Sequence, residues 1–278
     1  MTQAPDPLRG KRVVLCADDF AVHEAASQGI ARLAAMGRIS ATSAMVMSPR
    51  WAQDAPLLHD LRGQIDVGLH LDWTSDFAKA AGHGVSLGRA MLQSVLGGTS
   101  QAQARGVIER QLDAFESEWK APPDHVDGHQ HVQQFAGIRE ALIEVLVRRY
   151  PMRQPHGQPY IRVSRAPPGH ADFKSRIISG LGAKAIIKIA NNVYPMWANA
   201  LFGTYNFTGT EADYAERMAH WLQHAPHRTI IMCHPALAAA PGDSIGAARA
   251  REFAYLSSDA FGAALARHHV CLVTGANW

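Results

Sequence analysis

The chain has 278 residues, 47% of them hydrophobic, and a formal net charge of +3, a length that supports one large core of α/β-barrel size or two modest ones. Its Lys and Arg are scattered, with no run longer than two, which argues against the basic stripe of a nucleic-acid binder. No apolar stretch approaches the roughly 20 residues that cross a bilayer, the first ten residues lack a signal-peptide core and read as a flexible tail, and Cys16, Cys233 and Cys271 form no CxxC clip or disulfide framework. A soluble protein of the reducing cytoplasm is therefore expected.

Short apolar, β-branched runs recur along the chain and predict eight strands: Arg12 to Ala17, Ala41 to Met47, Ile65 to Leu71, His125 and Val126 leading into DGHQH, Tyr160 to Ser164, Gly203 to Thr208, Thr229 to His234, and Val270 to Thr274. Segments with a period near 3.6 lie between them: Glu24 to Met36, Gln103 to Trp119, Ile138 to Tyr150, Glu211 to His224 and Ile245 to His268. Strand and helix alternate almost throughout, which predicts a parallel sheet covered by helices. The expected fold is α/β, a single (β/α) barrel, TIM-like and distorted, with one domain over residues 1–278. Two irregular stretches, Thr74 to Gly98 and Ala166 to Asn199, read as excursions over the barrel mouth.

In such a barrel the chemistry sits at the C-terminal ends of the strands, and polar residues do collect where the apolar runs stop. The first run ends in Asp18 and Asp19. Taken alone, the pair serves equally well as a helix cap, or as one metal-binding carboxylate beside one free base. The third run ends in His70-Leu71-Asp72, where alternation puts His70 and Asp72 on one face. The next ends in Asp127-Gly128-His129-Gln130-His131, with Asp127, His129 and His131 on one face by the same rule. Imidazoles and carboxylates from three segments form a suitable set for Zn²⁺ or another borderline divalent ion. His234, after the seventh run, is suited to donate a proton, to orient a carboxylate or simply to end the strand. The chain holds 15 histidines; apart from His125 on its strand, the others, including His23, His83, His170, His220 and His224, fall on helical or loop segments and read as surface residues, with His83 and His170 set apart as lying on loops placed to overhang the site.

The ordered set ADDF, RISATSAMV, VGLHLDWT, HVDGHQHV and MCHPA, from Val13 to about Pro235, resembles the YdjC-like carbohydrate deacetylase family, which includes chitooligosaccharide deacetylases and a deacetylase of hopanoid biosynthesis. The resemblance implies a deacetylase-type (β/α) barrel and one divalent metal, Zn²⁺, Mg²⁺ or Mn²⁺, held by Asp19, His70 and His129. It implies Asp18 as general base and His234 as acid or transition-state partner in removing acetyl from an N-acetylated amino sugar or glycolipid, with metal-bound water as the attacking group. Asp127, His131 and Asp72 are assigned to orienting the ligands. Trp73, with Phe77 and Trp197, is a candidate face on which a pyranose ring packs. The family pattern has Gly, Asn and His where this chain has Ala21, Asp72 and Gln133, which bears on the sugar pocket. A homodimer is an assembly this reading allows. Two other readings compete: a glycoside hydrolase pairing Asp18 with Asp72 or Asp127, which leaves the histidines without a task, and a carbohydrate-binding protein without catalysis, which has no need of two adjacent aspartates.

Overall fold

The computed structural model describes residues 10–97, 99–151, 158–191, 193–197 and 199–276; apart from Gly10, the expected N-terminal tail lies outside them. Nine strands are assigned among these residues: β1 Lys11–Phe20, β2 Ala41–Ala44, β3 Asp66–Leu71, β4 His125–Gly128, β5 Tyr160–Arg162, β6 Met196–Trp197, β7 Leu201–Phe202, β8 Thr229–Cys233 and β9 Val270–Leu272. Every ladder is parallel. The sheet runs β6-β5-β4-β3-β2-β1-β8-β7, with β9 against the first residues of β1. It curls into an open barrel: among the described residues no ladder joins β6 to β7, and β7 is tied to the segment after β5 where Leu201 N–H donates to the Arg165 carbonyl at 2.9 Å.

Eleven α-helices are described: α1 Glu24–Ala35, α2 Trp51–Asp54, α3 Asp76–Ala80, α4 Leu87–Val95, α5 Gln101–Trp119, α6 Ile138–Arg149, α7 Phe173–Gly180, α8 Ala183–Ala190, α9 Glu211–His224, α10 Gly246–Ser257 and α11 Asp259–Arg267. The predicted helix over Ile245 to His268 is two helices. Ser258 is extended (φ −80°, ψ 160°), and its side chain accepts the Phe261 N–H to start α11. The predicted strand over Gly203 to Thr208 is also corrected. That segment is irregular, and its place in the sheet is taken by β6 and β7, two residues each, too short to show a period.

Alternation along the strands sorts the core into two bodies. Val13, Leu15 and Ala17 of β1, with Val67, Leu69 and Leu71 of β3, Val126, Ile161 and Ile231, face outward and pack under the helices in the larger core. Val14, Cys16, Ala41, Tyr160, Trp197, Ile230 and Met232 fill the inside of the curl. The inner filling is tight. A Cβ on Gly68 would lie 2.4 Å from ring atoms of His125, so glycine is what admits that buried imidazole from the next strand. Above this apolar plug the inward positions turn polar, with Asp18, Ser43, His70, Asp127 and Arg162 all buried.

Candidate active site

Two neighbours on a strand normally point to opposite faces, yet Asp18 and Asp19 both reach the mouth. Asp18 does so by ordinary alternation. Asp19 does so because its backbone is left-handed (φ 67°), a conformation Asp tolerates better than most residues, and the β1–β2 register shifts between Ala17 and Phe20. Neither caps α1: that task falls to His23, whose Nδ1 accepts the Ala26 N–H at 3.1 Å. The chain then turns again at Ala21 (φ 70°).

The two carboxylates sit in different electrostatic frames. Asp18 is gripped at both oxygens by Arg162 of β5, Nη1 to Oδ1 at 2.6 Å and Nη2 to Oδ2 at 2.7 Å. Burial pushes its pKa up, but the guanidinium outweighs burial and leaves the carboxyl below its ordinary range. Asp19 Oδ2 accepts from Arg249 Nη2 of α10 at 2.7 Å. Its Oδ1 faces His70 Nε2 at 3.3 Å and His129 Nδ1 at 3.2 Å. Against burial, Arg249 and the two imidazoles hold Asp19 well below the usual carboxylate range.

His70 is oriented from behind. Its Nδ1 lies 2.5 Å from Asp127 Oδ1 and 3.1 Å from Ser43 Oγ, and the second Asp127 oxygen meets Arg162 at 2.9 Å. Burial lowers the His70 pKa, but the charge of Asp127 and hydrogen bonds to Asp127 and Asp19 carry it up to about 10. Metal-binding histidines hold one nitrogen on a fixed acceptor and turn the other to the metal; here Nδ1 is held by Asp127, and Nε2 faces the Asp19 oxygen with which it would share an ion. One ligand atom from each of Asp19, His70 and His129 lies within 4.8 Å of the others. A carboxylate oxygen whose partner oxygen is already occupied, plus two imidazoles, fits one divalent ion of the Zn²⁺ or Mn²⁺ type, with open positions left for other ligands. The overlapping trio of Asp18, His70 and Asp127 fits less well, because Arg162 already fills the space between its carboxylates.

His129 and His131 do not share a strand face as alternation predicts. β4 ends at Gly128, and Gln130 (φ 53°) and His131 (φ 64°) are left-handed, so each imidazole is aimed separately. His129 reaches Asp19 and stays partly open, at 23% exposure. His131 turns to Ser164, Nδ1 to Oγ at 2.9 Å, and burial pushes it down to about 3, so it is neutral. His234 follows β8. Its backbone N–H donates to Glu252 at 2.5 Å, its ring meets Phe207 edge-on at 5.2 Å, and burial pushes it down to about 4.

These groups line one pocket of about 890 Å³, which holds Asp18, Asp19, His70, His129, His131, His234 and Arg249. Both predicted excursions form its walls, with Phe77, Leu87 and Met91 from the first and Phe173, Ile177 and Leu181 from the second. Asp127 sits behind His70 rather than in the lining. Asp72 and Trp73 do not reach the pocket. The strand ends at Leu71, and Asp72 takes up a loop role, accepting the Thr74 and Ser75 N–H groups at 3.0 Å each and the Ser75 hydroxyl. Trp73 is a core residue, 4% exposed and edge-on to His83. Trp197 packs on Tyr160 inside the curl, so of the three aromatic faces only Phe77 lines the pocket. Arg162 and Arg249 are the site residues that motif reading missed. For Arg162 the signal was present, since an Arg inside the apolar run YIRVS has to find buried carboxylates.

A model of the YdjC-like protein family matches residues 12–267. The chain is 28% identical to a mouse carbohydrate deacetylase over 147 residues, which is 49% of this chain and 47% of that one. It is 26% identical to a carbohydrate deacetylase of Enterococcus faecalis over 158 residues, 51% and 57% of the two chains. The chain thus matches about half the length of these curated relatives. A crystal structure of a proposed cellobiose-phosphate cleavage protein from Enterococcus faecalis V583 superposes with a TM-score of 0.71 at 18% identity, covering 95% of this chain and 97% of that one, a likeness of fold. With the family pattern running through almost the whole sequence and the fold matched from end to end, this chain belongs to the YdjC-like protein family.

Proposed function

We propose that this chain is a metal-dependent carbohydrate N-deacetylase, which hydrolyses the acetamide of an N-acetylated amino sugar to acetate and the free amine. The observation that supports this most is the division between the adjacent aspartates: Asp19 presents one oxygen to His70 and His129, while Asp18 is held apart by Arg162. A divalent ion held by Asp19, His70 and His129 would polarise the acetamide carbonyl and acidify a water.

The remaining steps belong to the chain. Asp18, kept ionised by Arg162, accepts the proton from the attacking water. The guanidinium also bridges to Asp127, so base and ligand-orienting carboxylate share one fixed cation and keep their geometry as the proton arrives. His234, neutral at pH 7, orients the acetamide by hydrogen bonding. The proton that Asp18 takes from the water passes to the departing amine by way of His234, which returns both side chains to their starting states. The apolar walls carrying Phe77 and Phe173 suit the faces of a sugar ring and exclude water around the acetyl group.

Carbohydrate deacetylase is also the name of the curated relatives. A glycosidase needs two carboxylates facing each other across the sugar. Asp127 is fully buried between Arg162, His70 and His125 and Asp72 is spent on its loop, so neither of the partners considered for Asp18 fits that role. The test is mass spectrometry of a panel of N-acetylated sugars and glycolipids after incubation with the protein. Loss of acetyl with release of acetate is expected. Shortened glycans with their acetyl groups intact would overturn the proposal.

A further inference from the structure

A second group of imidazoles lies away from the pocket, and none of its members lines it. The last turns of α9 place His220 and His224 four residues apart, hence on one helix face, with ring centroids 4.3 Å apart. A turn closed by His170 N–H to the Pro167 carbonyl at 3.2 Å brings His170 onto the same patch, 4.0 Å from the His224 ring and 5.5 Å from that of His220. One ring nitrogen from each lies within 4.8 Å of the other two.

We propose that His170, His220 and His224 form a surface site for a borderline divalent metal ion, Zn²⁺ in the first instance, which fastens the segment ahead of α7 to helix α9. Two features carry this. The His224 Nδ1 donates to the His220 carbonyl at 2.9 Å, which fixes the tautomer and leaves the Nε2 lone pair for a metal, as at built metal sites. Among the described residues none of the three rings has a carboxylate partner, so the patch has donors for a cation and no acid to neutralise three imidazolium charges. A donor set of imidazoles alone selects Zn²⁺, Cu²⁺ or Ni²⁺ and disfavours Mg²⁺, unlike the Asp-containing set in the pocket. His170 lies three residues before Phe173, which opens α7 and, with Lys174, Ile177 and Ile178, lines the pocket wall. Occupancy would therefore stiffen that wall from outside the reaction centre.

The test is a calorimetric titration of the full chain with Zn²⁺, paired with hydrogen exchange over residues 166–178. Wild type should bind two equivalents, and a His220→Gln/His224→Gln double variant one. His70→Gln should keep the surface equivalent, and Zn²⁺ should slow exchange over 166–178 in wild type and His70→Gln but not in the double variant. His170→Ala, on an exposed turn, guards against misfolding of the helix variant and should also lose the surface equivalent. Mg²⁺ should leave exchange over this segment unchanged. A Zn²⁺ stoichiometry or exchange response that the surface substitutions leave intact would overturn the proposal, and retention of full affinity in His170→Ala would overturn the three-ligand arrangement.

Discussion

Replacing Arg162 with Met tests how the site is held together. Arg162 is 1% exposed and binds Asp18 and Asp127, themselves 3% and 0% exposed. Methionine fills similar space, strips the buried Asp18 carboxylate of its paired guanidinium and leaves Asp127 with His70 and His125 alone, a loss of about 3–5 kcal/mol, or a melting temperature lower by on the order of 10 °C for a chain of this size. The chemistry should change as well. Without the guanidinium, burial and Asp127 both push Asp18 up, so the acid limb of the pH–rate profile should move to higher pH and activity at neutral pH should fall. Arg162→Lys keeps the charge but loses the two-pronged grip, and should fall between the two. Circular-dichroism melting and acetate release across pH read both effects. An Arg162→Met protein that melts within about 2 °C of wild type and keeps the same acid limb would refute the reasoning that Arg162 keeps Asp18 ionised.

Asp18→Asn should retain the pocket metal and lose turnover, whereas His70→Ala should lose both, its elemental analysis falling one equivalent below that of wild type; loss of that equivalent in Asp18→Asn would show the two aspartates assigned the wrong way round. Glu252 supplies a pH test. Burial lifts its carboxyl from 4.5 to about 7, against hydrogen bonds from His234 N–H, Tyr205 and Tyr214. A carboxyl whose folded pKa lies above the unfolded one binds its proton more tightly in the native state. Its contribution is therefore complete below pH 4.5 and is lost as pH rises through about 7, roughly 3 kcal/mol over that window. Urea midpoints should show wild type losing stability between pH 5 and 8 relative to Glu252→Gln, and a difference that does not vary with pH would contradict this.

The chemistry was legible where side-chain type and position coincide. Asp18, Asp19, His70, His129 and His234 stand where apolar runs stop, and they line one pocket. Alternation misled beyond the strand ends. β3 stops at Leu71 and frees Asp72 to anchor its loop, and the left-handed backbone at Gln130 and His131 separates imidazoles that a strand would have aligned. The cations were harder to read. Arg162 was visible as an oddity in an apolar strand, but Arg249 sits in an amphipathic helix whose sequence, GAARAREFAYLS, does not distinguish it from Arg251. Its partner Asp19 is 230 residues away. β6 and β7 are too short to carry a period and are defined only by their neighbours. The surface histidines His170, His220 and His224 come from two segments that only the fold brings together.

The central claim is tested most directly by acetate release from an N-acetylated amino sugar before chelation, after EDTA treatment and dialysis, and after a divalent metal is restored. A pocket in which Asp19, His70 and His129 hold the metal and Asp18 acts as base predicts that acetate release stops on chelation and returns with metal. Acetate released at an undiminished rate by the chelated protein would contradict it.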